Sequence, residues 1–440
     1  MVSFSHIIFC ITLLINPISC YIPETRMAHN SVIVHGRLLI FGGWRYSNST
    51  NSTNSTNLTN STKIYSTSEM FSLDLSTAFQ GIETQWDLVL EGNLPVYEYL
   101  STALVSTIDQ DIIYLIGGFM TGTGITTEEY DYSNLVYTYD YSSTEWSPVK
   151  VNNVHPRQEI TGVIDDKGII YFFGGNNETN YNYMEPEGRL FNDMQIFDVS
   201  STVWSKLNIN DNLPLPCSAY TANLLTNGII VYLGGYETSD SGNFTSFSNL
   251  TLSSMNTIKL FDTKKSEWSQ MNVTGGDTIK PRIYHSSVLS PDGNIILFGG
   301  VGAYNKTVHP KLALLDIKKN IYEWTIPSSY YNSPPLLFGH SANIYENYMI
   351  ITFGFDKDNL VMNSQIYFFH IYAHTWSDGF FPKYSPYIPD EPENTEFSND
   401  LSPITLDVGL GIGGFIILVF VSMGIIFLKD RKKKRATHPI

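Results

Sequence analysis

One unit of about 50 to 65 residues recurs six times along this chain, and the recurrence restricts the possible folds more than any other feature. The fifth copy shows the unit most clearly. Its apolar segment at residues 281–289 is followed by a Pro-Asp-Gly turn at 291–293 and by a second apolar segment that ends at Gly299 and Gly300. A third apolar segment and then Trp324 complete the unit. The pattern predicts strands joined by tight turns.

The other copies carry the same markers in the same order. The glycine pairs are Gly42 and Gly43, Gly117 and Gly118, Gly174 and Gly175, Gly234 and Gly235, and Gly299 and Gly300. The tryptophans are Trp86, Trp146, Trp204, Trp268, Trp324 and Trp376. In the sixth copy we expect Gly354 to be the first glycine of the pair and Phe355 to replace the second.

Short apolar segments separated by Gly, Asn, Asp and Pro favour an antiparallel all-β fold. A unit of this size cannot bury both faces of its small sheet alone. Units stacked around an axis bury these faces and leave only short edges exposed. The glycine pair supplies a backbone that adopts positive φ and approaches a neighbouring strand closely. The tryptophan supplies rigid apolar area between units.

This pattern resembles the kelch-repeat family, whose repeats each form one four-stranded blade of a β-propeller. The resemblance covers about residues 26–376 and implies an all-β, six-bladed kelch-type propeller over residues 21–380. The repeats are expected near residues 26–95, 96–155, 156–213, 214–280, 281–336 and 337–380, with an Asn/Ser/Thr-rich insertion at 47–62. A seventh, degenerate blade and an exchanged terminal strand both stay open as ways to close the ring.

The segments outside the propeller predict export and anchoring. Residues 1–20 have the apolar core of a secretory signal peptide, and residues 407–428 are apolar and long enough for one transmembrane helix. Residues 381–406 predict an acidic, proline-rich stalk, and the basic residues within 429–440 predict a cytoplasmic tail. We therefore expect a single-pass type I protein of the plasma membrane or another exocytic-pathway membrane, with the propeller outside.

Ten Asn-x-Ser/Thr sequons favour a glycoprotein, and most of them are expected in loops. They are at Asn48, Asn51, Asn54, Asn57, Asn60, Asn177, Asn243, Asn249, Asn272 and Asn305.

The formal net charge of the chain is −16. Because the tail is basic, the rest of the chain is still more acidic. An acidic body argues against nucleic-acid binding, which needs a basic surface.

Three histidines take the same place in their repeats and suggest either a metal site or a structural role. They are His29, His285 and His340, and the other repeats are expected to have Leu100, Ile160 and Tyr220 there. Repeats distribute equivalent residues around a ring rather than bringing them together, so the structural role is favoured.

An arginine opens alternate repeats, at Arg26, Arg157 and Arg282. This pattern predicts either a ligand patch on one face or buried, paired side chains.

Tyr284 and His285 raise one enzymatic alternative. Followed by a Pro-Asp-Gly turn and a glycine pair, they resemble the blade of galactose-oxidase-type copper-radical enzymes that supplies a tyrosine and a histidine to copper. The resemblance also requires a tyrosine crosslinked to a cysteine and a histidine from a later domain. Cys217 is poorly placed for the first, and we expect a stalk and a transmembrane segment after the propeller instead of a domain that could supply the second. An alcohol or sugar oxidase is therefore the second hypothesis.

The favoured hypothesis is a non-enzymatic recognition scaffold without a cofactor. Its propeller loops would bind a protein or a glycan at the cell surface, because loops vary freely on a rigid scaffold. The longest connections are expected at residues 48–62, 121–133, 176–192 and 237–254, and they are rich in Tyr and Asn. A purely structural surface glycoprotein is the third hypothesis.

Overall fold

A computed structural model describes residues 21–382 of the chain, except 48–62, 81–83, 91, 123–129, 153, 179–187, 240–241, 245, 247–248 and 329–331. The described residues form antiparallel strands and two 3-10 helices, Gly276–Thr278 and Ala303–Asn305, which confirms the all-β prediction. The predicted signal peptide, transmembrane helix, tail and first five sequons lie outside the described residues, as does nearly all of the predicted stalk. Among the described residues, no helix could cross a bilayer.

Six four-stranded sheets make up the body, and we number them as blades 1 to 6 in chain order. Blade 1 consists of Asn30–Val34, Arg37–Phe41, Met70–Asp74 and Trp86–Leu88. Blade 2 consists of Thr102–Val105, Ile112–Ile116, Val136–Asp140 and Glu145–Val149. Blade 3 consists of Val163–Ile164, Ile169–Phe173, Met194–Asp198 and Val203–Lys206. Blade 4 consists of Thr221–Leu224, Ile229–Leu233, Thr257–Asp262 and Glu267–Asn272. Blade 5 consists of Ile283–Leu289, Asn294–Val301, Leu312–Asp316 and Glu323–Thr325, and blade 6 of Ser341–Tyr345, Tyr348–Thr352, Ile366–His370 and Thr375–Ser377.

Short ribbons of two or three strands flank the blades. Their strands are Trp44–Ser47 with Lys63–Ser66, Val96–Tyr99 with Phe119–Gly122, Asn176–Glu178 with Gly188–Leu190 and Asn243–Phe244, Cys217–Ser218 with Tyr236–Glu237 and Thr251–Leu252, and Leu337–Phe338 with Phe355–Asp356 and Val361–Met362. A further pair, Gly379–Phe380 with Phe79–Gln80, fastens the end of the described chain to the first repeat.

Blade 6 closes directly against blade 1. Their first strands lie side by side, and the Asn343 amide donates a hydrogen bond to the Ser31 hydroxyl at 2.5 Å. Every blade is built from one continuous stretch of chain. The described residues therefore form a ring of six blades, with neither a seventh blade nor a strand exchanged between the first and last sheets.

The repeated tryptophans fill the interfaces between blades. Trp268 of blade 4 packs on Phe173 of blade 3, with ring centroids 4.4 Å apart. Trp86 of blade 1 reaches Phe353 of blade 6 at 5.8 Å, across the closure of the ring. Each ring thus covers apolar area that a single blade would expose to water, and stacking of the blades supplies much of the core.

The glycine pairs all adopt positive φ, near 65° at the first glycine and between 87° and 101° at the second. In blade 6, Phe353 (φ 55°) stands in the first place and Gly354 (φ 93°) in the second. The expectation that the second glycine is lost, with Phe355 in its place, was therefore wrong. Phe353 is fully buried at the junction with blade 1 and packs edge-on against Phe71 at 5.7 Å. This apolar contact offsets the strain of a left-handed phenylalanine.

The described sequons also correct an expectation about loops. Asn177, Asn243 and Asn272 lie in strands, and only Asn249 and Asn305 lie outside them. An asparagine in a strand can nevertheless be exposed, because strands at the edge of a sheet face the solvent. All of these asparagines except the half-buried Asn177 are exposed.

Candidate binding site on the upper face

One face of the propeller carries the long connections. Because neighbouring strands are antiparallel, the connection from the second to the third strand of every blade leaves on the same face, which we call the upper face. The four long connections expected from the sequence all belong to this class, and the described part of each is incomplete. Their described ends nevertheless line a cavity around the axis.

Six residues with a left-handed backbone form a ring beneath this cavity, one from each repeat and at or just before the first strand of its blade. They are Ala28, Leu100, Glu159, Ala219, Tyr284 and Gly339, with φ between 52° and 61°. Five hydrogen bonds of 2.6–3.1 Å join the N–H of a ring residue to the C=O of the ring residue in the preceding blade, and one of them links blade 1 to blade 6. Left-handed backbone costs about 1–2 kcal/mol for a residue other than glycine, so the ring stores strain. Strain of this kind concentrates at functional sites.

Two cavities meet at the ring. The face cavity has a volume of about 280 Å³ and lies among the connections of the upper face. The axial cavity, of about 150 Å³, is lined by the ring and by His29, His285 and His340. Five residues of the ring line both cavities: Ala28, Leu100, Glu159, Tyr284 and Gly339.

A row of aromatic rings in contact forms a wall on one side of the face cavity. Trp44 lies 4.3 Å from Tyr99 between ring centroids, Tyr99 lies 4.7 Å from Phe119, and Phe119 lies 5.0 Å from Tyr130. The hydroxyls of Tyr99 and Tyr130 are 3.0 Å apart and share a hydrogen bond. Each ring is held by its neighbours, so the wall is assembled before any ligand arrives.

Two carboxyl groups, Glu159 and Glu178, line the same cavity. The hydroxyl of Tyr284 donates to Glu159 Oε1, and the hydroxyl of Ser218 donates to Oε2 at 2.7 Å. Burial raises the pKa of Glu159, and these two hydrogen bonds oppose that shift. Burial and the nearby charge of Glu159 raise the pKa of Glu178 to about 8. Glu178 therefore retains its proton at neutral pH while the cavity is empty.

The histidines lie between blades instead of converging on an ion. The Nε2 atoms of His29, His285 and His340 contact hydroxyls of the preceding blades, on Ser341 (2.9 Å), Thr221 (3.1 Å) and Ser286 (2.8 Å). Burial lowers the pKa of His285 and of His340 to about 3, so both are neutral. In the described part of the chain, no three His, Cys, Asp or Glu residues are grouped to hold a metal ion.

The strand register corrects one assignment. Ser341 pairs with Thr352, Asn30 with Phe41 and Thr102 with Ile116, each just before the paired positive-φ residues. The residue of blade 2 equivalent to His29 is therefore Ser101, and Leu100 belongs to the ring. Repeats 2, 3 and 4 all have a residue other than histidine here, so the strand register fixes this position and residue type alone does not.

Tyr284 and His285 are adjacent in the chain, but their polar atoms have different partners. The Tyr284 hydroxyl bonds to Glu159 in the face cavity, and the His285 imidazole bonds to Thr221 between blades 4 and 5. Cys217 is buried, and burial raises the pKa of its thiol to about 12. Tyr284 therefore lines the face cavity. Among the described residues, no set of copper ligands surrounds it.

The three arginines do not form a ligand patch, because their side chains are buried. Each guanidinium donates to the carbonyl of the first glycine in its own blade: Arg26 to Gly42 (3.1 Å), Arg157 to Gly174 (2.6 Å) and Arg282 to Gly299 (2.8 Å). Arg26 also pairs with Glu69, and Arg157 pairs with Asp193. The glycine pair turns these carbonyls away from their strand, and the arginines satisfy them inside the protein.

The cavity-lining residues were not singled out by the sequence, although one signal was present. An aromatic residue follows the glycine pair directly at Trp44, Phe119 and Tyr236, and all three line the face cavity. Glu159 and Glu178 have no such marker. Their role follows from the ring geometry and from the ribbon Asn176–Glu178, which appear only in the fold.

Comparison with known proteins points to one family. A family model described as the Attractin/LZTR1 beta-propeller matches residues 113–386, more than half of the chain. Kelch domain-containing protein 3 of Rattus norvegicus is 23% identical over 287 residues, which are 63% of this chain and 64% of that protein. Kelch domain-containing protein 1 of Mus musculus is 22% identical over 368 residues, 79% of each chain. These matches agree with the kelch-type propeller that the repeats predict.

A nematode relative is much longer than this chain. Protein tag-53 of Caenorhabditis elegans is 24% identical over 279 residues, which are 61% of this chain and 19% of that protein. The chain thus matches less than two thirds of the length of tag-53 and of Kelch domain-containing protein 3.

Proposed function

Because this chain belongs to the Attractin/LZTR1 beta-propeller family, we propose that it is a recognition protein whose face cavity holds a segment of a protein partner. Kelch-type propellers commonly mediate protein binding, and the relatives share that fold. The observation that carries the proposal is the face cavity itself, a concave site of about 280 Å³ with an assembled aromatic wall. Aromatic side chains in such pockets dominate binding energy at protein interfaces.

The site is suited to recognition because rigid blades hold variable connections. The described ends of the connections supply Trp44, Phe119, Tyr130, Glu178, Tyr236 and Tyr304, from five different blades. The ring fixes the floor through hydrogen bonds between blades. Sequence change in the connections therefore alters the ligand while the fold persists.

Variants of two cavity residues test the proposal. Tyr304 is 70% exposed, so Tyr304→Ala is expected to leave stability within about 0.5 kcal/mol of wild type. A partner captured by the full-length protein should bind Tyr304→Ala and Trp44→Ala at least about tenfold more weakly, as expected for aromatic anchors. The measurement is the dissociation constant of the purified partner by calorimetry or surface plasmon resonance.

Tyr372→Ala is the matched control. Tyr372 is 55% exposed and lies in the turn between the last two strands of blade 6, on the face opposite the cavity. Its replacement should leave the affinity unchanged. A partner that binds all three variants as tightly as wild type would contradict the proposed site. Loss of binding after enzymatic removal of the partner's glycans would instead assign a glycan ligand.

We further propose that the propeller is a glycosylated ectodomain of an exocytic-pathway membrane, anchored by residues 407–428. The proposal rests on the apolar segments at both ends of the sequence and on the sequons between them. The exposure of Asn243, Asn249, Asn272 and Asn305 is compatible with modification.

Expression of the full chain in eukaryotic cells tests the proposed location, glycosylation and membrane anchoring. We expect surface biotinylation, a lower apparent mass after treatment with an N-glycosidase, and release of the propeller into the medium when residues 407–440 are deleted. A protein that stays in the cytosol with unchanged mobility would contradict it.

A further inference from the structure

The described lining of the face cavity combines two carboxyl groups with aromatic rings and contains no basic side chain. Neither Glu159 nor Glu178 forms an ion pair with a basic side chain of the described chain. The described lining of the cavity includes no Lys, Arg or His. Buried Arg26 and Arg157, in contrast, each have a carboxylate partner, whereas buried Glu98 is held by Asn30 and Ser101 and does not line this cavity. Since no basic side chain of the described residues lines the cavity, a ligand can supply the positive charge that these carboxyl groups accept when ionised.

The aromatic rings favour the same kind of ligand. The π face of Trp or Tyr attracts a cation within about 6 Å of its centre, and the attraction grows as water is excluded. Trp44, Tyr99 and Tyr130 stand on one side of the cavity, and Tyr236 and Tyr284 also line it. The volume of about 280 Å³ suits one long side chain better than a larger ligand.

We propose that the face cavity binds the cationic side chain of one lysine or arginine, presented by the protein partner. The cation lies among the rings and is neutralised by the carboxylates of Glu159 and Glu178. This inference rests on the proposed function and specifies the chemistry of the partner. The aliphatic stem of the side chain packs on the aromatic wall, and its charged end reaches the carboxylates.

Loss of a proton from Glu178 accompanies this binding. The charge of Glu159 acts on Glu178, and Glu178 in turn acts on Tyr132 and Tyr284; none of these groups is cationic. With its pKa at about 8, Glu178 is mostly protonated at pH 7 and ionised above pH 8. Only the ionised form attracts the cation, so affinity rises as pH increases from 7 to 9, and binding at pH 7 releases a proton.

The first test uses two small probes of the same shape. N-acetyl-arginine amide carries a guanidinium, and N-acetyl-citrulline amide replaces it with a neutral urea. Titration into the full-length protein, followed by tryptophan fluorescence with Trp44→Phe to assign the signal, should show at least about tenfold tighter binding of the cation. Equal binding of the two probes, or no saturable binding of either, would overturn the cation site whatever the partner is.

The second test identifies which side chains neutralise the probe. Glu178→Gln and the double variant Glu159→Gln/Glu178→Gln should lose the preference for the cation and its rise with pH. The variant Glu145→Gln/Glu267→Gln removes the same charge from exposed positions outside the cavity and should keep both. Unchanged preference in Glu178→Gln and in the double variant would contradict the proposal. Should the double variant fail to fold, Glu178→Gln alone decides.

A displayed peptide library separates failure of this inference from failure of the proposed function. Peptides selected on the full-length protein should share a Lys or Arg at one position and lose binding with Tyr304→Ala. Selected peptides that need the cavity but share no basic residue would overturn the cation site and keep the recognition function. A library without any cavity-dependent peptide would count against both.

Discussion

Gly117→Ala is expected to lower the free energy of unfolding of the propeller by about 4 kcal/mol or more. A Cβ at this position would lie 2.3 Å from the carbonyl oxygen of Arg157, in the neighbouring blade. That carbonyl cannot move away freely, because it accepts a hydrogen bond from the Gly118 N–H at 2.7 Å. The φ of 65° adds strain for any residue other than glycine.

Gly293→Ala is the matched control for this substitution. Gly293 also has positive φ, 79°, but the nearest atom to its added Cβ is Lys318 Cγ at 3.2 Å, part of a flexible side chain. Its cost should be limited to about 1–2 kcal/mol of backbone strain. Urea unfolding of wild type and both variants measures the difference. Similar losses in the two variants would show that φ, and not the approach of the blades, imposes glycine at residue 117.

Asp193→Ala is expected to lower the free energy of unfolding by about 3–5 kcal/mol, since it leaves the guanidinium of Arg157 buried without its counter-charge. The pair is bidentate, with Nη1–Oδ1 and Nη2–Oδ2 distances of 2.8 and 3.0 Å. Arg157 is only 4% exposed. Burial alone would raise the pKa of Asp193, but hydrogen bonding and attraction to Arg157 lower it. The contribution is thus present above about pH 4, the pKa range of an unfolded aspartate, and is lost as the pH falls through the lower folded-state pKa.

Asp87→Ala provides the comparison, because the Arg37–Asp87 pair lies at the surface, where Asp87 is 65% exposed. Exposed ion pairs contribute about 0–1 kcal/mol, so this variant should unfold near wild type. Chemical denaturation at pH 7 and at pH 3 tests both statements. Equal stability of Asp193→Ala and Asp87→Ala at pH 7 would contradict this prediction. It would show that burial of Arg157 does not require the carboxylate of Asp193.

Much of the fold could be predicted from local signals. The glycine pairs, the Pro-Asp-Gly turn of blade 5 and the regular tryptophans predict strands, turns and their repetition, because each of these residues acts through its own backbone or its own ring. The prediction was weakest where a repeat departs from the pattern. Leu100 was misaligned by one residue in repeat 2, where no histidine marks the position, and Phe355 was misaligned in repeat 6, where the glycine pair is incomplete.

The sequence by itself determined the all-β propeller and the number of its repeats, since period and residue type depend on neighbours a few positions away. Only the tertiary structure decided which residues share a site. Glu159 and Glu178 lie 19 positions apart from each other and far from Tyr284, yet all three line one cavity. The closure of six blades around an axis brings these residues together. Burial within that ring then raises the pKa of Glu178, a property that no local pattern encodes.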